Sequence, residues 1–117
     1  MIRKETFYGV QVDENGEHSI SFPFNGWLEE INVWYGTLEM DTEIEFVTSS
    51  GHSFKVMGNN QLTFPINPRH TPNTSYFSHA GISPSLEKYV NAGIFQIRIR
   101  NAGAKTALAL LEVIYSE

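Results

Sequence analysis

The chain has 117 residues, the size of one domain that can bury its own core. Its formal net charge of -5 argues against binding to nucleic acids, because a phosphate backbone requires a footprint of lysine and arginine. The absence of cysteine excludes disulfides, thiolate metal sites and cysteine nucleophiles. No apolar run approaches the length of a membrane span, and the first residues lack the apolar core of a signal peptide, so we expect a soluble protein that is not secreted by that route.

Alternation of apolar and polar residues with a period of two recurs along the chain, whereas helical periodicity is nearly absent. This pattern predicts short antiparallel strands joined by turns. In chain order, we expect strands at residues 2–12, 17–22, 27–35, 42–48, 53–57, 62–64, 94–100 and 105–115.

Turn residues predict how these strands connect. Asn15-Gly16 predicts a hairpin between the first two strands, because both residues tolerate positive φ. Pro23 predicts the end of the second strand, since proline cannot donate to a strand ladder. Asn91-Ala92-Gly93 predicts a turn before the strand at residues 94–100, and Ser49-Ser50-Gly51 joins the fourth and fifth strands into a hairpin.

The last predicted strand, residues 105–115, is apolar on both faces over much of its length. A helix is the competing interpretation, because alanine and leucine favour helices. Val113, Ile114 and Tyr115 favour a strand instead. A strand with two apolar faces is typical of a central position or of a surface covered by a second one.

The segment from about residue 58 to residue 90 has almost no strand pattern and contains four of the five prolines. Long irregular loops inside compact domains are uncommon and usually functional. Residues 83–88 favour a single helical turn, because proline suits the first turn of a helix. The sequence therefore predicts a single all-β domain over residues 1–117, a jelly roll or β-sandwich of seven or eight antiparallel strands with one long irregular loop.

The sequence contains no motif that predicts catalysis. The four histidines are never closer than nine positions, so their spacing predicts no metal site. Glu43 and Glu45 alternate along one strand and are typical of a solvated face. We therefore expect no catalytic residues, no cofactor and no metal.

The aromatic residues are the stronger candidates for binding. Trp34 shares a strand face with Glu30 and Asn32, so it could stack on a sugar, anchor a protein interface, or be covered by its own domain. Large apolar groups in a polar loop either fix the loop to its own domain or insert into a neighbour. The candidate partner-binding residues are Phe7, Tyr8, Phe64, Tyr76 and Phe77.

The order of these segments resembles a group of small structural proteins encoded by tailed bacteriophages. The resemblance runs through residues 25–35 (NGWLEEINVWY), 41–48 (DTEIEFVT), 64–69 (FPINPR) and 89–99 (YVNAGIFQIRI), and it ends in the final strand. It implies a jelly-roll decoration or cement protein on the capsid exterior, made in the host cytoplasm. It also implies that the partners are the major capsid protein and further copies of the chain in a homotrimer, with no nucleic acid and no membrane.

Two other functions are open from the sequence. A carbohydrate-binding sandwich module would use Trp34 or Trp27 as a stacking platform. A tail or baseplate subunit would share the fold but occupy another place in the particle.

Overall fold

A computed structural model describes residues 1–39, 41–57, 63–66, 68–70 and 87–117 of the chain. These residues form nine β-strands and no helix. The predicted all-β sandwich is therefore confirmed, and the strand interpretation of residues 105–115 is confirmed with it. The strands are β1 (Ile2–Gln11), β2 (His18–Trp34), β3 (Glu43–Val47), β4 (Ser53–Met57), β5 (Thr63–Ile66), β6 (Arg69–His70), β7 (Glu87–Lys88), β8 (Val90–Arg100) and β9 (Ala107–Ser116).

Seven of these strands form one antiparallel sheet. Its order is β1-β9-β2-β8-β3-β4, and β5 pairs with β2 off this path. The two remaining short strands, β6 and β7, pair with each other. Strands that are distant along the chain are thus neighbours in space, since β1 and β2 both pair with β9.

The long strand β2 belongs to two layers of the sandwich. Its first half pairs with β8, up to the pair between Trp27 and Val90. Its second half pairs with β9 and with β5. Between the halves, the ladder with β9 shifts register between Leu28 and Glu30, which is the signature of a β-bulge that bends a strand. We call β1, β9, β5 and the second half of β2 layer one; β8, β3, β4 and the first half of β2 form layer two.

The core lies between the inner faces of the two layers. Aromatic rings touch across it: Phe7 of β1 lies 5.7 Å from Phe22 of β2 between ring centroids, and Phe24 lies 4.3 Å from Tyr115 of β9. The alternation of buried and exposed residues predicted from the sequence accounts for these faces. The most deeply buried side chains include Leu28, Ile31, Val33, Tyr35, Ile44, Phe46, Phe95, Ile97, Ile99, Leu108, Leu111 and Val113.

Gly26 lies where β2 passes from one layer to the other. Its φ of +152° is a backbone conformation that residues with a side chain rarely adopt. A Cβ atom built on Gly26 would overlap the main-chain carbonyl of Ser116 in β9. The close approach of the two backbones therefore requires glycine at this position.

Three predictions about turns differ from the structure, namely those at Asn15-Gly16, Pro23 and Asn91. The turn at Asn15-Gly16 is present, and the Gly16 N–H donates to the Asp13 carbonyl at 3.1 Å. However, it does not form a hairpin, because β1 pairs with β9 whereas β2 pairs with β8, β9 and β5. The turn instead leads the chain from layer one into layer two.

Pro23 does not end a strand, and β2 continues through it. Pro23 stands opposite Ile94 of β8, and the described residues give this half of β2 a ladder partner on that side only. A proline is tolerated where one edge of a strand carries no ladder. The second and third predicted strands are therefore one strand.

Asn91 does not form a turn, because it is a buried residue of β8. Its amide nitrogen donates to the carbonyl oxygen of Phe24 at 2.8 Å, and its Oδ1 accepts from the Ser49 N–H at 2.8 Å. The polar side chain that suggested a turn is thus satisfied by main-chain groups of neighbouring segments, which allows its burial.

Part of the segment 58–90 lies within the described residues. The extended piece expected at residues 62–64 corresponds to β5, at Thr63–Ile66. Of the helical turn expected at 83–88, residues 83–86 lie outside the described residues, and Glu87–Lys88 form β7 rather than helix.

We predict that Gly26→Ala lowers the free energy of unfolding by about 3 kcal/mol, because it adds both backbone strain and overlap with Ser116. The matched control is Gly9→Ala, where φ is +53° and nothing lies within 4 Å of the added Cβ. That variant should lose only about 1–2 kcal/mol. Urea denaturation measures both values, and equal losses would contradict the importance of the close approach at Gly26.

Candidate functional site

The outer face of layer two is a polar surface on which charges of opposite sign alternate. Lys55 of β4 lies 2.8 Å from Glu43 of β3, and Arg98 and Arg100 of β8 lie 3.5 and 4.0 Å from Glu45. The hydrogen bond and positive charge of Lys55 lower the pKa of Glu43 below its ordinary value. The three cations reach solvent and partly cover the Glu43 and Glu45 carboxylates, so this face is typical of a charged surface in contact with water.

The outer face of layer one carries a row of apolar side chains across three strands. Leu110 of β9 stands directly opposite Tyr8 of β1 on one side and Trp34 of β2 on the other. Directly opposite residues in antiparallel strands share a face. We call Tyr8, Leu110 and Trp34 the aromatic row. Because neighbouring strands lie about 4.8 Å apart, the row spans about 10 Å from Tyr8 to Trp34.

The aromatic row is accessible from solvent along part of its length. Tyr8 is 76% exposed, and Leu110 and Trp34 are partly buried. The domain therefore covers part of the Trp34 side chain and leaves part of it accessible. An exposed tyrosine beside a leucine and a tryptophan forms a continuous apolar strip that water solvates poorly.

Polar side chains lie beside the aromatic row on the same face. The next register row contains Thr6, Glu112 and Asn32. The Asn32 amide donates to Glu30 Oε2 at 3.1 Å, and Lys4 lies 3.1 Å from the Glu112 carboxylate. An apolar strip is thus bordered by donors and acceptors, an arrangement that gives an interface both area and orientation.

The structure separates the candidates that the sequence grouped together. Tyr8 and Trp34 share the aromatic row, whereas Phe7 points to the inner face and packs against the core beside Phe22. Phe64 lies in β5 at the register position opposite Val33. Tyr76 and Phe77 lie outside the described residues.

Leu110 is a member of the row that the sequence analysis did not single out. The sequence feature that pointed to Leu110 is that the last strand is apolar on both faces. The central position of β9 between β1 and β2 accounts for the apolar inner face, but it does not account for an apolar residue on the outer face. The outer leucine becomes informative only when the register with Tyr8 and Trp34 is known.

Trp27, the other tryptophan considered, lies elsewhere. It is 50% exposed and lines an open cavity of about 480 Å³ together with Glu87, Lys88 and Val90. Trp27 stands opposite Val90 of β8 and opposite Ser116 of β9, so this second apolar surface lies at the other end of β9 from Leu110 of the aromatic row.

Glu29 connects the bulge of β2 to three other segments. Its carboxylate accepts hydrogen bonds from Lys88 Nζ of β7 and from Ser116 Oγ of β9, the latter at 2.6 Å. Its main-chain carbonyl accepts from Arg69 Nη1 of β6 at 3.2 Å. The bonds from Lys88 and Ser116 lower the pKa of Glu29 below its ordinary value. This network fixes the short β6–β7 ribbon to the bend of β2.

We predict that Glu29→Gln destabilises the protein by about 1 kcal/mol near neutral pH, because it removes an ion pair and weakens two hydrogen bonds. The folded state lowers the pKa of Glu29, so its contribution is complete above the ordinary value of 4.5 and is lost as the pH falls through the lower pKa of the folded state. Urea denaturation across this pH range should show the free energies of unfolding of the wild type and Glu29→Gln converging as the pH falls.

The control for Glu29→Gln is Glu14→Gln, which removes one exposed carboxylate from the turn after β1. This variant should follow the wild type across the pH range. A gap between wild type and Glu29→Gln that persists unchanged in acid would contradict the role of the ionised carboxylate.

The described residues contain no group of three or more histidine, cysteine, aspartate or glutamate side chains placed to hold a metal ion. Within the same part of the chain, no helix is long and apolar enough to cross a membrane. Comparison with protein-family models and with curated proteins finds no match to the chain.

Proposed function

We propose that this chain is a non-enzymatic structural protein of a virus particle, a decoration subunit that binds the capsid surface through the aromatic row. The observation that supports binding at this place is the alignment of Tyr8, Leu110 and Trp34 across three strands of one outer face. The particle as the site of binding comes from the resemblance to small phage structural proteins.

The difference between the two outer faces supports an oriented contact. The face of layer two carries paired charges, which remain hydrated at little cost. The face of layer one carries Tyr8, whose aromatic ring would bury about 150–250 Å² against a partner. At about 25 cal/mol per Å², that burial corresponds to about 4–6 kcal/mol before the costs of association. The aromatic row would therefore face the capsid and the charged face would remain in solvent.

A rigid scaffold suits this role. Two of the strands that carry the row are paired on both sides, since β9 lies between β1 and β2, and the second half of β2 lies between β9 and β5; β1 pairs with β9. Side chains on such strands lose little conformational freedom when they are buried by a partner, so less of the contact energy is offset by ordering. The resemblance also implies a homotrimer, which stays a prediction.

We predict that replacing Tyr8 and Trp34 together by serine weakens capsid binding by about 30-fold or more, because central aromatic residues carry most of the energy of an interface. The measurement is co-sedimentation with capsids of the phage that encodes the chain, at low salt. The wild type should pellet with intact capsids and the double variant should remain in the supernatant.

The matched control is Ile94→Ser, which removes an apolar side chain that is 50% exposed but belongs to layer two. Circular dichroism establishes that each variant is folded. Wild-type protein that sediments free of intact capsids would refute the decoration role, and equal losses for the control would refute the aromatic row as the contact.

A carbohydrate-binding module is the second candidate, and one observation favours it. Asn32, Glu112 and Thr6 border the aromatic row, so ring stacking and hydrogen-bonding groups lie together on one exposed face. Flat aromatic side chains bind the apolar faces of sugar rings, while neighbouring amides and carboxylates bind the hydroxyl groups.

If the row binds sugars, wild-type protein should give a signal on a glycan array and Trp34→Ala should reduce it by about tenfold or more. Trp27→Ala is the matched control, because it removes a tryptophan from the other apolar surface. The absence of a signal on every sugar would remove this candidate, and loss of the signal with Trp27→Ala alone would move the site to that surface.

A further inference from the structure

Strand β1 forms an open edge of the sheet. Within the described residues, its only ladder partner is β9, and it stands first in the strand order. The outer-face side chains of this strand reach solvent, since Ile2 is 65% and Tyr8 76% exposed. An open edge presents main-chain donors and acceptors that can pair with another strand.

The hydrogen bonds at the start of β1 identify which groups are free. Met1 and Glu117 exchange two bonds: the Met1 amino group donates to the Glu117 carbonyl at 3.2 Å, and the Glu117 N–H donates to the Met1 carbonyl at 3.0 Å. Along an antiparallel ladder, residue pairs that exchange main-chain hydrogen bonds alternate with pairs that do not. The register between β1 and β9 is continuous from Ile2 to Tyr8, so this alternation runs unbroken over that stretch. The odd-numbered residues therefore bond to β9, and the main-chain groups of Ile2, Lys4, Thr6 and Tyr8 point to the open edge.

We propose that this edge binds a second copy of the chain, so that two β1 strands pair antiparallel about a two-fold axis and the layer-one sheets become continuous. This inference goes beyond the proposed function and does not rest on it. A pair of this kind closes on itself as a dimer, in place of the homotrimer that the resemblance implies.

The charges along β1 and the number of free main-chain groups together favour one register for the pair. A two-fold axis perpendicular to the sheet places residues of equal parity opposite each other, because facing residues share a side of the sheet. An axis through Lys4 would oppose two lysines, and an axis through Glu5 would oppose two glutamates, both of which are unfavourable. Axes through Thr6, Phe7 and Tyr8 oppose no like charges, but within residues 2–8 the Thr6 axis pairs three even-numbered residues with the copy, whereas the Phe7 axis pairs two and the Tyr8 axis one.

The Thr6 register also brings favourable partners together. Thr6 faces its own copy, and threonine pairs across strands are stabilising. Lys4 of each chain faces Tyr8 of the other, where an ammonium group can lie against an aromatic ring. The three facing pairs of even-numbered residues would exchange about six main-chain hydrogen bonds.

Two features limit the pairing to this stretch and give it specificity. Gly9 has a φ of +53°, which departs from strand geometry and ends the regular edge after Tyr8. Arg3, Lys4 and Glu5 disfavour the registers that place any of them opposite its own copy, which limits indiscriminate pairing of the edge.

The first test uses Thr6→Pro, measured by sedimentation equilibrium. The Thr6 N–H points away from β9, so proline removes no bond within the chain but two bonds between the copies. We expect the dimer dissociation constant to rise about tenfold or more, with little change in the melting temperature. Thr6→Val is the control, because it keeps the N–H and the β-branched shape and should dimerise like the wild type.

The second test changes only the sign of one charge. Tyr8→Glu places a carboxylate opposite Lys4 of the other copy, whereas Tyr8→Lys places two ammonium groups opposite each other, and both variants lose the same aromatic ring. We expect the glutamate variant to dimerise about tenfold or more tightly than the lysine variant at low salt, and the difference to shrink at high salt.

These outcomes decide the proposal. A wild-type dimer that is weakened by Thr6→Pro, together with the predicted order of the Tyr8 variants, supports it. A wild-type monomer, a trimer that tolerates Thr6→Pro, or equal association of the two charged variants overturns it. Because Thr6 is outside the aromatic row, a failure here leaves capsid binding by Tyr8 and Trp34 standing as a separate question.

Discussion

The bend of β2 at Gly26 is the constraint on which the arrangement of this domain depends. One strand of 17 residues pairs with β8 before the bend and with β9 and β5 after it, so a single segment of backbone connects the two layers. The bend requires a residue without a side chain, because β9 passes against the backbone of Gly26. The bulge at Glu29 then resets the register, and the bonds of its carboxylate fix β7 and β9 beside it. The core, the inner rings and the position of both outer faces follow from this geometry.

The two outer faces of the sandwich carry different kinds of side chain. Layer two presents alternating acidic and basic side chains that neutralise one another, so its surface is suited to remain in water. Layer one presents Tyr8, Leu110 and Trp34 in one line with polar groups on the adjacent row. Binding by such a surface would need no movement of the scaffold, since the strands that hold the row already pair with neighbours. The edge of β1 adds a second kind of contact, made through main-chain groups, at the margin of that same layer.

Local patterns in the sequence predicted the strands well because burial and exposure alternate within each strand. The inner and outer faces of residues 94–100 and the polar face of Glu43 and Glu45 follow directly from this period of two. The pairing of strands could not be predicted in this way. Asn15-Gly16 specifies a turn, but whether the flanking strands pair depends on contacts with β9, which is about 90 residues further along the chain. Likewise, the burial of Asn91 in a strand could not be predicted, because the residues to which it hydrogen-bonds, Phe24 and Ser49, are distant in sequence. The sequence named two of the three residues of the aromatic row, Tyr8 and Trp34, but only the register places them in one line and adds Leu110.

The central position of β9 has a consequence for how the domain is made. Residues 107–116 form the strand between β1 and β2, so layer one lacks its central strand until these residues have been synthesised. During synthesis, β1 and the second half of β2 would lack the strand that pairs with both of them until β9 leaves the ribosome. Folding of this layer is therefore expected to begin only after residues 107–116 have been synthesised, and the slow closure of such distant contacts would set its rate. The nascent chain has most need of a chaperone in that interval.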